Sequence, residues 1–402
     1  MRSAIALHGF ARLRCARIRA AVATGTVIFL WLAAVGIGVA LAQERPWQPP
    51  QTFGQERALR AHLNDGTLIL ATSHPTASYF AIGHDIAAAF ASSDDLRVLP
   101  LVSQGGIGNL RDLLFLRGVD MAVVPVNALA HASKTFSPRV AQRIGYIARL
   151  RNEEVHLLAT RGIESMAALR GKKVAMPQED GNARFAAEDL FDRLGIEIVP
   201  VRRPAAEAIA RVRSGEVAAV LLVGSKPLPA LSGLPRDGSL RLLSLPFGQA
   251  LEEAYAPAAF RADDYPDLIP AGGVVDTVAI GTVLVGNIGD SDGSAERIAR
   301  FVPAFFTLLS ERSAFSNNAR WGDVNLAATL PGWPRVAAAE AWLRNARRLQ
   351  TASLQKRFEE FLLESRPPGS PDLSPAQRKK LFDEFVTWTR KSVSKSDGPQ
   401  SR

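Results

Sequence analysis

The chain has 402 residues, of which 47% are hydrophobic and 22% charged, a balance that excludes an intrinsically disordered protein. This length is sufficient for two lobes, each with its own core. The formal net charge of +9 falls to +4 once the five arginines of the N-terminal segment are subtracted. The remaining chain has no arginine-rich helix or basic strip, so the composition gives no indication of nucleic-acid binding.

Residues 1–42 have the pattern of a secretory signal peptide. Five arginines without any acidic residue precede an uncharged apolar run, which ends in small residues before Gln43. An uncleaved anchor is the alternative, because residues 20–42 are long enough to span a bilayer. Both interpretations export the remaining chain, either free in the periplasm or anchored in the inner membrane and facing the periplasm. The single cysteine, Cys15, precedes the apolar run and is therefore not a lipoprotein acceptor.

After a polar, proline-containing linker at residues 43–62, alternating strand and helix patterns predict the first part of a first lobe over residues 63–160. An apolar strand at residues 154–160 is expected to cross to a second lobe. The predicted elements of the first lobe are strand Thr67–Ala71, helix Ser78–Phe90, strand Arg97–Val102, helix Gly108–Arg117 and strand Asp120–Pro125.

The pattern restarts over residues 161–255, which we interpret as the second lobe. Its predicted elements are a short helix and strand within 165–176, helix Ala183–Leu194, strand Ile196–Val201, helix Ala205–Ser214 and strand Val217–Val223. Continuous apolar residues in the last strand are typical of a parallel sheet buried on both faces.

Residues 256–315 are predicted to return to the first lobe. The proline-containing stretch 257–273 is expected to be irregular, residues 274–285 to form a strand pair, and residues 296–312 an amphipathic helix. A helical C-terminal extension (316–392) and a disordered tail (393–402) complete the chain. The last helix, capped by Ser374 and Pro375, carries an apolar stripe that we expect to pack on its own protein; the alternative is docking on a partner or membrane.

Two predicted strands end in polar turns at the start of a helix, an arrangement in which main-chain N–H groups and helix dipoles bind small anions. The first turn offers hydroxyl groups from Ser73, Thr76 and Ser78, although Ser78 alternatively serves only as a helix cap. The second turn, residues 103–109, combines Ser103, Gly105, Gly106 and Asn109, which suits a carboxylate or phosphate. The competing interpretation is a tight turn without a ligand.

These segments resemble the TAXI family of TRAP-transporter solute receptors. The resemblance rests on GTLILATSHPTASYFAIGHDIA (66–87) and SQGGIGNLRDLLFLRGVDMAVVPVN (103–127), and on LRGKKVAM (169–176), VLLVG (220–224) and VDTVAIGTVLV (275–285). It covers residues 66–315 and implies an α/β, two-lobed type II periplasmic binding protein fold with parallel-rich sheets. It also implies capture of a small organic anion for a membrane permease of the TRAP type.

By this resemblance Tyr79 would wall the ligand site and donate from its hydroxyl, with a core role as the alternative, and Asn109 would match a family asparagine. Ser73 and Ala77 depart from the pattern, because they stand where the family tends to have glycine. Asn127 is a weaker candidate for the cleft.

The second-lobe turn departs from the family most. Residues 178–182 read QEDGN where the family has small donor residues, so Glu179 and Asp180 bring negative charge to the site, while Gly181 and Asn182 still fit a helix start. Either the ligand is shifted or partly cationic, as an amino acid would be, or this receptor has drifted from transport.

Nothing in the sequence has the pattern of an enzyme, a metal site or a cofactor site. The motifs GxSxG and HxxxH are absent, and the glycines at 281 and 286 lack the lysine of a phosphate-binding loop. We therefore expect a binding protein with no cofactor, whose partners are a small carboxylate or amino acid and a TRAP-type permease. The alternative is a membrane-anchored sensory or interaction protein that uses the same fold without transport.

Overall fold

The computed structural model of the chain describes residues 49–178, 180–245, 247–289, 293–311, 315, 321–322, 324–365 and 373–396. The expected signal or anchor (1–42) and Glu179 lie outside the described residues. The chain divides into two compact units, residues 1–62 and residues 63–402.

The described part of the first unit is mostly helical. Helix α1 (Phe53–Asp65) begins with a reciprocal cap, in which the Gln55 N–H donates to Thr52 Oγ1 (3.2 Å) and the Thr52 N–H donates to Gln55 Oε1 (3.1 Å). The segment expected to be a linker therefore contains a capped helix.

The second unit begins with alternating strands and helices whose positions follow the sequence pattern closely. The first group comprises β1 (Thr67–Ala71), α2 (Ser78–Ala89), β2 (Arg97–Leu101), α3 (Ile107–Phe115), β3 (Val119–Pro125), α4 (Val126–Thr135), α5 (Pro138–Ala141) and β4 (Ile144–Thr160). The second group comprises β5 (Lys173–Pro177), α6 (Gly181–Arg193), β6 (Val199–Arg203), α7 (Ala205–Arg213), β7 (Ala219–Gly224), β8 (Leu240–Leu242), β9 (Ala256–Arg261) and β10 (Val274–Asn287). Helices α8 (Ser294–Glu311), α9 (Ala337–Ser365) and α10 (Pro375–Ser396) follow.

The ten strands of the described residues belong to one sheet with the order β2-β1-β3-β10-β4-β7-β5-β6, in which β8 also pairs with β4 and β9 with β10. The pairs β1–β2, β1–β3, β5–β6 and β5–β7 are parallel, whereas β4 and β10 pair antiparallel with their neighbours. The orders β2-β1-β3 and β6-β5-β7 repeat the same unit on each side of the long antiparallel pair. This is the two-lobed type II periplasmic binding protein fold, with β1–β3 in the first lobe and β5–β7 in the second.

Strands β4 and β10 differ from the prediction. Strand β4 is 17 residues long and begins at Ile144, not at residue 154, while β10 is one continuous strand instead of a pair. Residues 274–279 of β10 pair with β9, and residues 282–286 pair with β3 of the first lobe. Residues 256–261, expected to be irregular, form β9 because this strand completes the sheet edge beside β10.

Apolar residues cover both faces of the sheet in each lobe. On β4, Ile147 and Leu150 belong to a first-lobe core, whereas Val155 and Leu157 belong to a second-lobe core. On β10, Ile280 belongs to the second-lobe core and Val283 to a first-lobe core. The two strands therefore pass between the cores at residues 151–154 and 281–282, which we call the crossing segment.

Helix α9 begins in the first-lobe core, to which its residues Ala339 and Leu343 belong. Helix α9 packs on α8, and the Phe358 ring lies 5.4 Å from the Phe382 ring of α10. Helix α10 continues to Ser396, four residues past the predicted end. In the described part of the chain, no helix combines the length and apolar character needed to cross a membrane.

Candidate functional site

A cavity of about 550 Å³ separates the two lobes at the ends of their strands. The first lobe contributes the turn after β1, including Thr76 and Ser78. The second lobe contributes the ends of β5 and β7 and the start of α7, including Asp180, Ala206 and Ser225. Because carboxyl ends of parallel strands meet at one sheet edge, such a crevice is where open α/β sheets bind ligands. We call this cavity the cleft.

Helix N-termini point toward the cleft from both lobes. Helix α2 starts at Ser78 after Ala77, and α7 starts at Ala205 after Pro204; neither preceding residue caps its helix with a side chain. The positive ends of these helices favour an anionic group. The remaining walls include Pro229, Leu228 and Ile209, so the cleft is largely apolar with a few polar groups.

Asp180 has a structural role that the sequence left open. Its Oδ1 accepts hydrogen bonds from the N–H groups of Asn182 (2.9 Å) and Ala183 (3.1 Å), which caps α6. The carboxylate therefore already interacts with the N-terminus of α6. A ligand in the cleft meets a negative charge at this position, where the family pattern has neutral donors.

The second turn uses its polar groups internally. The Asn109 Nδ2 donates to the Val123 carbonyl (2.7 Å), its Oδ1 accepts from the Gly105 N–H (3.0 Å), and the side chain is fully buried. The Ser103 hydroxyl donates to Asp112 of α3. In this conformation the contacts support the competing interpretation of a structural turn, and ligand binding by Asn109 and Ser103 stays a prediction.

Glycines allow the second turn to touch the start of α6 across the lobes. A Cβ on Gly181 would collide with the backbone carbonyl oxygen of Gln104, and a Cβ on Gly106 would lie 2.9 Å from the Gly181 carbonyl oxygen. Gly105 and Gly106 have φ angles of +74° and +54°, which glycine adopts without strain. The structure thus brings together four predicted site residues, which pack against each other and do not surround a cavity: Gly105, Gly106, Gly181 and Asn182.

Ser73 and Tyr79 lie inside the first lobe. The Ser73 Oγ accepts from the Phe80 N–H (3.1 Å), which ties the first turn to α2. Tyr79 is 1% exposed and belongs to the core, and burial raises the pKa of its hydroxyl well above the usual value. The alternative core role for Tyr79 therefore matches its position. Thr76 and Ser78 are the two predicted first-turn residues that line the cleft.

Asn127 joins the lobes away from the cleft. Its Nδ2 lies 3.4 Å from both Asp189 Oδ2 of α6 and the Tyr255 hydroxyl. The Tyr255 hydroxyl donates to the same Asp189 oxygen (2.8 Å), and Arg193 binds the other oxygen at 3.0 Å. Burial and the Asp189 charge raise the pKa of Tyr255. This network holds the start of α4 against the second lobe.

The crossing segment contains functional candidates that the sequence reasoning missed. Glu153 is fully buried on β4, with Asn182 Nδ2 3.4 Å from its Oε2 and Arg151 Nε 4.0 Å from its Oε1. Burial raises the pKa of Glu153 to about 7, against the lowering effects of Arg151 and of the Ser78 hydroxyl. Glu153 Oε1 and Asn182 Oδ1 have no hydrogen-bond partner in the described structure.

A sequence signal for this segment existed. Four consecutive polar residues, Arg151 to Glu154, and Arg149 before them interrupt a stretch that is otherwise mostly apolar. In a buried strand, such an interruption indicates a place where the strand passes a polar cavity instead of a core. Among the described residues, no group of three or more His, Cys, Asp or Glu side chains could hold a metal ion.

No family model matches the chain, and the search of curated proteins gives no match. Solved structures similar to it include an ancestral arginine-binding protein bound to arginine (14% identity, TM-score 0.39, covering 64% of this chain and 98% of that one). They also include a histidine kinase sensor domain with similarity to periplasmic binding proteins (16%, 0.37, 64% and 96%). A third is a TctC solute-binding protein from Polaromonas (14%, 0.39, 63% and 88%). At these identities and TM-scores, we take no ligand, partner or cellular role from these proteins.

Proposed function

We propose that this chain is an extracytoplasmic solute-binding receptor resembling the TAXI family, which captures a small organic anion or amino acid for a TRAP-type permease. The proposal gives it no catalytic activity. The Thr76 hydroxyl lies 2.9 Å from His74 Nδ1, a contact within the first turn that we assign to the conformation of this turn. Export follows from the N-terminal arginine-plus-apolar pattern.

The observation that carries the proposal is a cleft lined by both lobes beside the strands that connect them. Ser78 comes from the first lobe, Ala206 from the second, and Ser225 follows β7. A solute that touches both lobes stabilises the closed arrangement over an open one, which is how a receptor signals occupancy to its partner.

The walls of the cleft indicate the character of the solute. The positive ends of α2 and α7 suit a carboxylate, the hydroxyls of Thr76, Ser78 and Ser225 suit polar substituents, and the apolar wall suits a short hydrocarbon body. Asp180, which also lines the cleft, favours a ligand that has a cationic group as well. An amino acid meets all of these requirements, and a simple carboxylate meets most of them.

A thermal-shift screen tests the proposal. The full chain is heated with amino acids, small carboxylates and phosphate, beside A206W, which fills the cleft, and A210W, which adds the same ring to an exposed site of α7 outside the cleft. A solute that binds the cleft raises the Tm of the wild type and of A210W more than that of A206W. Shifts in A206W that equal those of the wild type for every solute, or no shift with any solute, would refute cleft binding.

The anchored sensory or interaction protein is supported by a different observation. Helices α9 and α10 contact each other through aromatic rings, with the Phe358 ring also 5.5 Å from the Phe385 ring, and neither helix contributes a residue to the cleft. Mass spectrometry of the exported protein separates the two functions. A mature start at Gln43 favours the free receptor, and a retained N-terminus favours the anchored protein.

A further inference from the structure

A second cavity, of about 510 Å³, lies beside the crossing segment and was not predicted from the sequence. Arg149 and Arg151 line it from β4, Thr282 from β10, Ser225 and Lys226 from the segment after β7, and Asn325 from the segment before α9. Both lobes and both crossing strands therefore contribute to it. We call it the crossing cavity.

Arg151 is the most informative residue in the crossing cavity. Its side chain is only 8% exposed, and its Nε has no hydrogen-bond partner in the described structure. The nearest carboxylate oxygen, Glu153 Oε1, lies 4.0 Å from that Nε, which is beyond hydrogen-bond distance. A buried guanidinium nitrogen without a hydrogen bond is unfavourable, so this arrangement indicates a partner that the chain itself does not supply.

Arg149 adds a second cation, and unlike Arg151 it has no carboxylate nearby in the described structure. Among the described residues, no carboxylate lies within ion-pair distance of it, although it lines the same cavity. Ser225 adds a buried hydroxyl whose Oγ has no hydrogen-bond partner in the described structure. Guanidinium groups and hydroxyls together form the donor set that proteins use to bind oxyanions.

The other charges around the cavity are already compensated. Lys226 Nζ lies 3.1 Å from Asp264 Oδ2 and donates to the Ala259 carbonyl (2.7 Å). Glu154 accepts a hydrogen bond from the Lys226 N–H (3.0 Å). The donors that remain for a ligand therefore include those of Arg149, Arg151 and Ser225 and the Thr282 hydroxyl, which also has no hydrogen-bond partner in the described structure. An anion is the group that satisfies them.

We propose that the crossing cavity is an oxyanion-binding site, separate from the cleft, which holds a carboxylate or phosphate group between Arg149 and Arg151. An anion there bridges residues of both lobes at the point where the two strands pass between them. Occupancy therefore favours one angle between the lobes. This site is independent of the proposed transport function, because a receptor and a sensor would both retain it.

Isothermal titration of the full chain with succinate, and separately with inorganic phosphate, tests the site at constant ionic strength. The double variant R149Q/R151Q removes both guanidinium groups, and R117Q/R139Q removes two exposed arginines outside the cavity as a charge-matched control. We expect saturable binding of at least one anion to the wild type and to the control. Loss of two charge-assisted contacts should raise Kd at least about 100-fold in R149Q/R151Q.

Further variants keep the result interpretable. The single variant R149Q changes a side chain that has no ion pair among the described residues, so it replaces the double variant if that protein fails to fold. We expect R149Q to raise Kd at least about tenfold. The cleft variant A206W should bind the same anion unchanged. The proposal would be overturned by a wild type that binds neither anion saturably, by unchanged binding in folded R149Q, or by loss of binding in A206W. A wild type that binds neither anion, or loss of binding in A206W, would still leave other cleft ligands possible.

Discussion

Glu153→Gln is expected to stabilise the protein at high pH and to leave its stability unchanged at low pH. Glu153 is fully buried on β4, and burial raises its pKa from 4.5 to about 7. A group that protonates more readily in the folded state binds more protons there than in the unfolded chain. The folded state therefore loses stability as the pH rises from about 4.5 to 7, and above pH 7 the full penalty is present.

The size of the effect follows from the pKa difference. A difference of about 2.5 units at roughly 1.36 kcal/mol per unit corresponds to about 3 kcal/mol above pH 7. Glutamine has nearly the shape of a protonated glutamate and no charge, so E153Q avoids the penalty. The variant should exceed the wild type in free energy of unfolding by up to about 3 kcal/mol at pH 8, and match it near pH 4.

Urea denaturation of the wild type and E153Q between pH 4 and pH 8.5 measures this difference. Other buried groups, including His156, are present in both proteins and cancel in the comparison. E164Q, which removes an exposed carboxylate, serves as the control and should show no such dependence on pH. A difference between E153Q and wild type that is constant over this range, or a wild type that is more stable at pH 8, would refute the burial of an ionisable Glu153.

Three further predictions concern other contacts. Gly181→Ala should separate the lobes, because the added Cβ collides with the backbone of the second turn, and should therefore increase the radius of gyration in small-angle scattering. The control Gly162→Ala adds a Cβ in open space and should leave the radius unchanged. Equal radii for the two variants would contradict the contact. Tyr265→Phe should lower the free energy of unfolding in urea by about 2 kcal/mol, since its hydroxyl lies 2.6 Å from His156 Nε2, and an unchanged midpoint would show that this bond contributes nothing. In an NMR titration His156 should stay neutral until about pH 3, because burial lowers its pKa. The stability that its neutral form provides is complete above pH 6.5 and is lost as the pH falls toward 3. Protonation near pH 6 would disprove its burial.

The strand and helix order could be predicted because each apolar strand ends at a polar turn. Strand β1 has the predicted bounds, and β3 and α2 differ from them by a single residue. The long strands could not be predicted in full. Residues 151–154 interrupt the apolar pattern of β4, and a pattern of this kind normally marks a loop. Only the passage between two cores explains polar residues in the middle of a strand.

The position of the site could be predicted better than its side chains. The rule for parallel strands places the first turn at the cleft, and Thr76 and Ser78 do line it. The same residue types also stabilise turns, so the sequence cannot distinguish a ligand contact from an internal hydrogen bond. Asn109 shows this ambiguity, since its amide binds backbone groups of β3 and of the second turn.

For the crossing segment, in contrast to the cleft, even the position of a site could not be predicted from a motif. Arg149, Arg151 and Glu153 have no motif spacing, and their importance depends on partners from three other parts of the chain. Ser225 borders both cavities because it directly follows β7. This position becomes evident only when the two lobes are assembled.

The most direct test of the central claim is isothermal titration of the full chain with the solute that gives the largest thermal shift, in the wild type, A206W, A210W and R149Q/R151Q. We predict a cleft site that binds one solute per chain in the wild type, A210W and R149Q/R151Q and that is lost in A206W. An affinity and stoichiometry in A206W equal to those of the wild type would contradict a ligand site in the cleft.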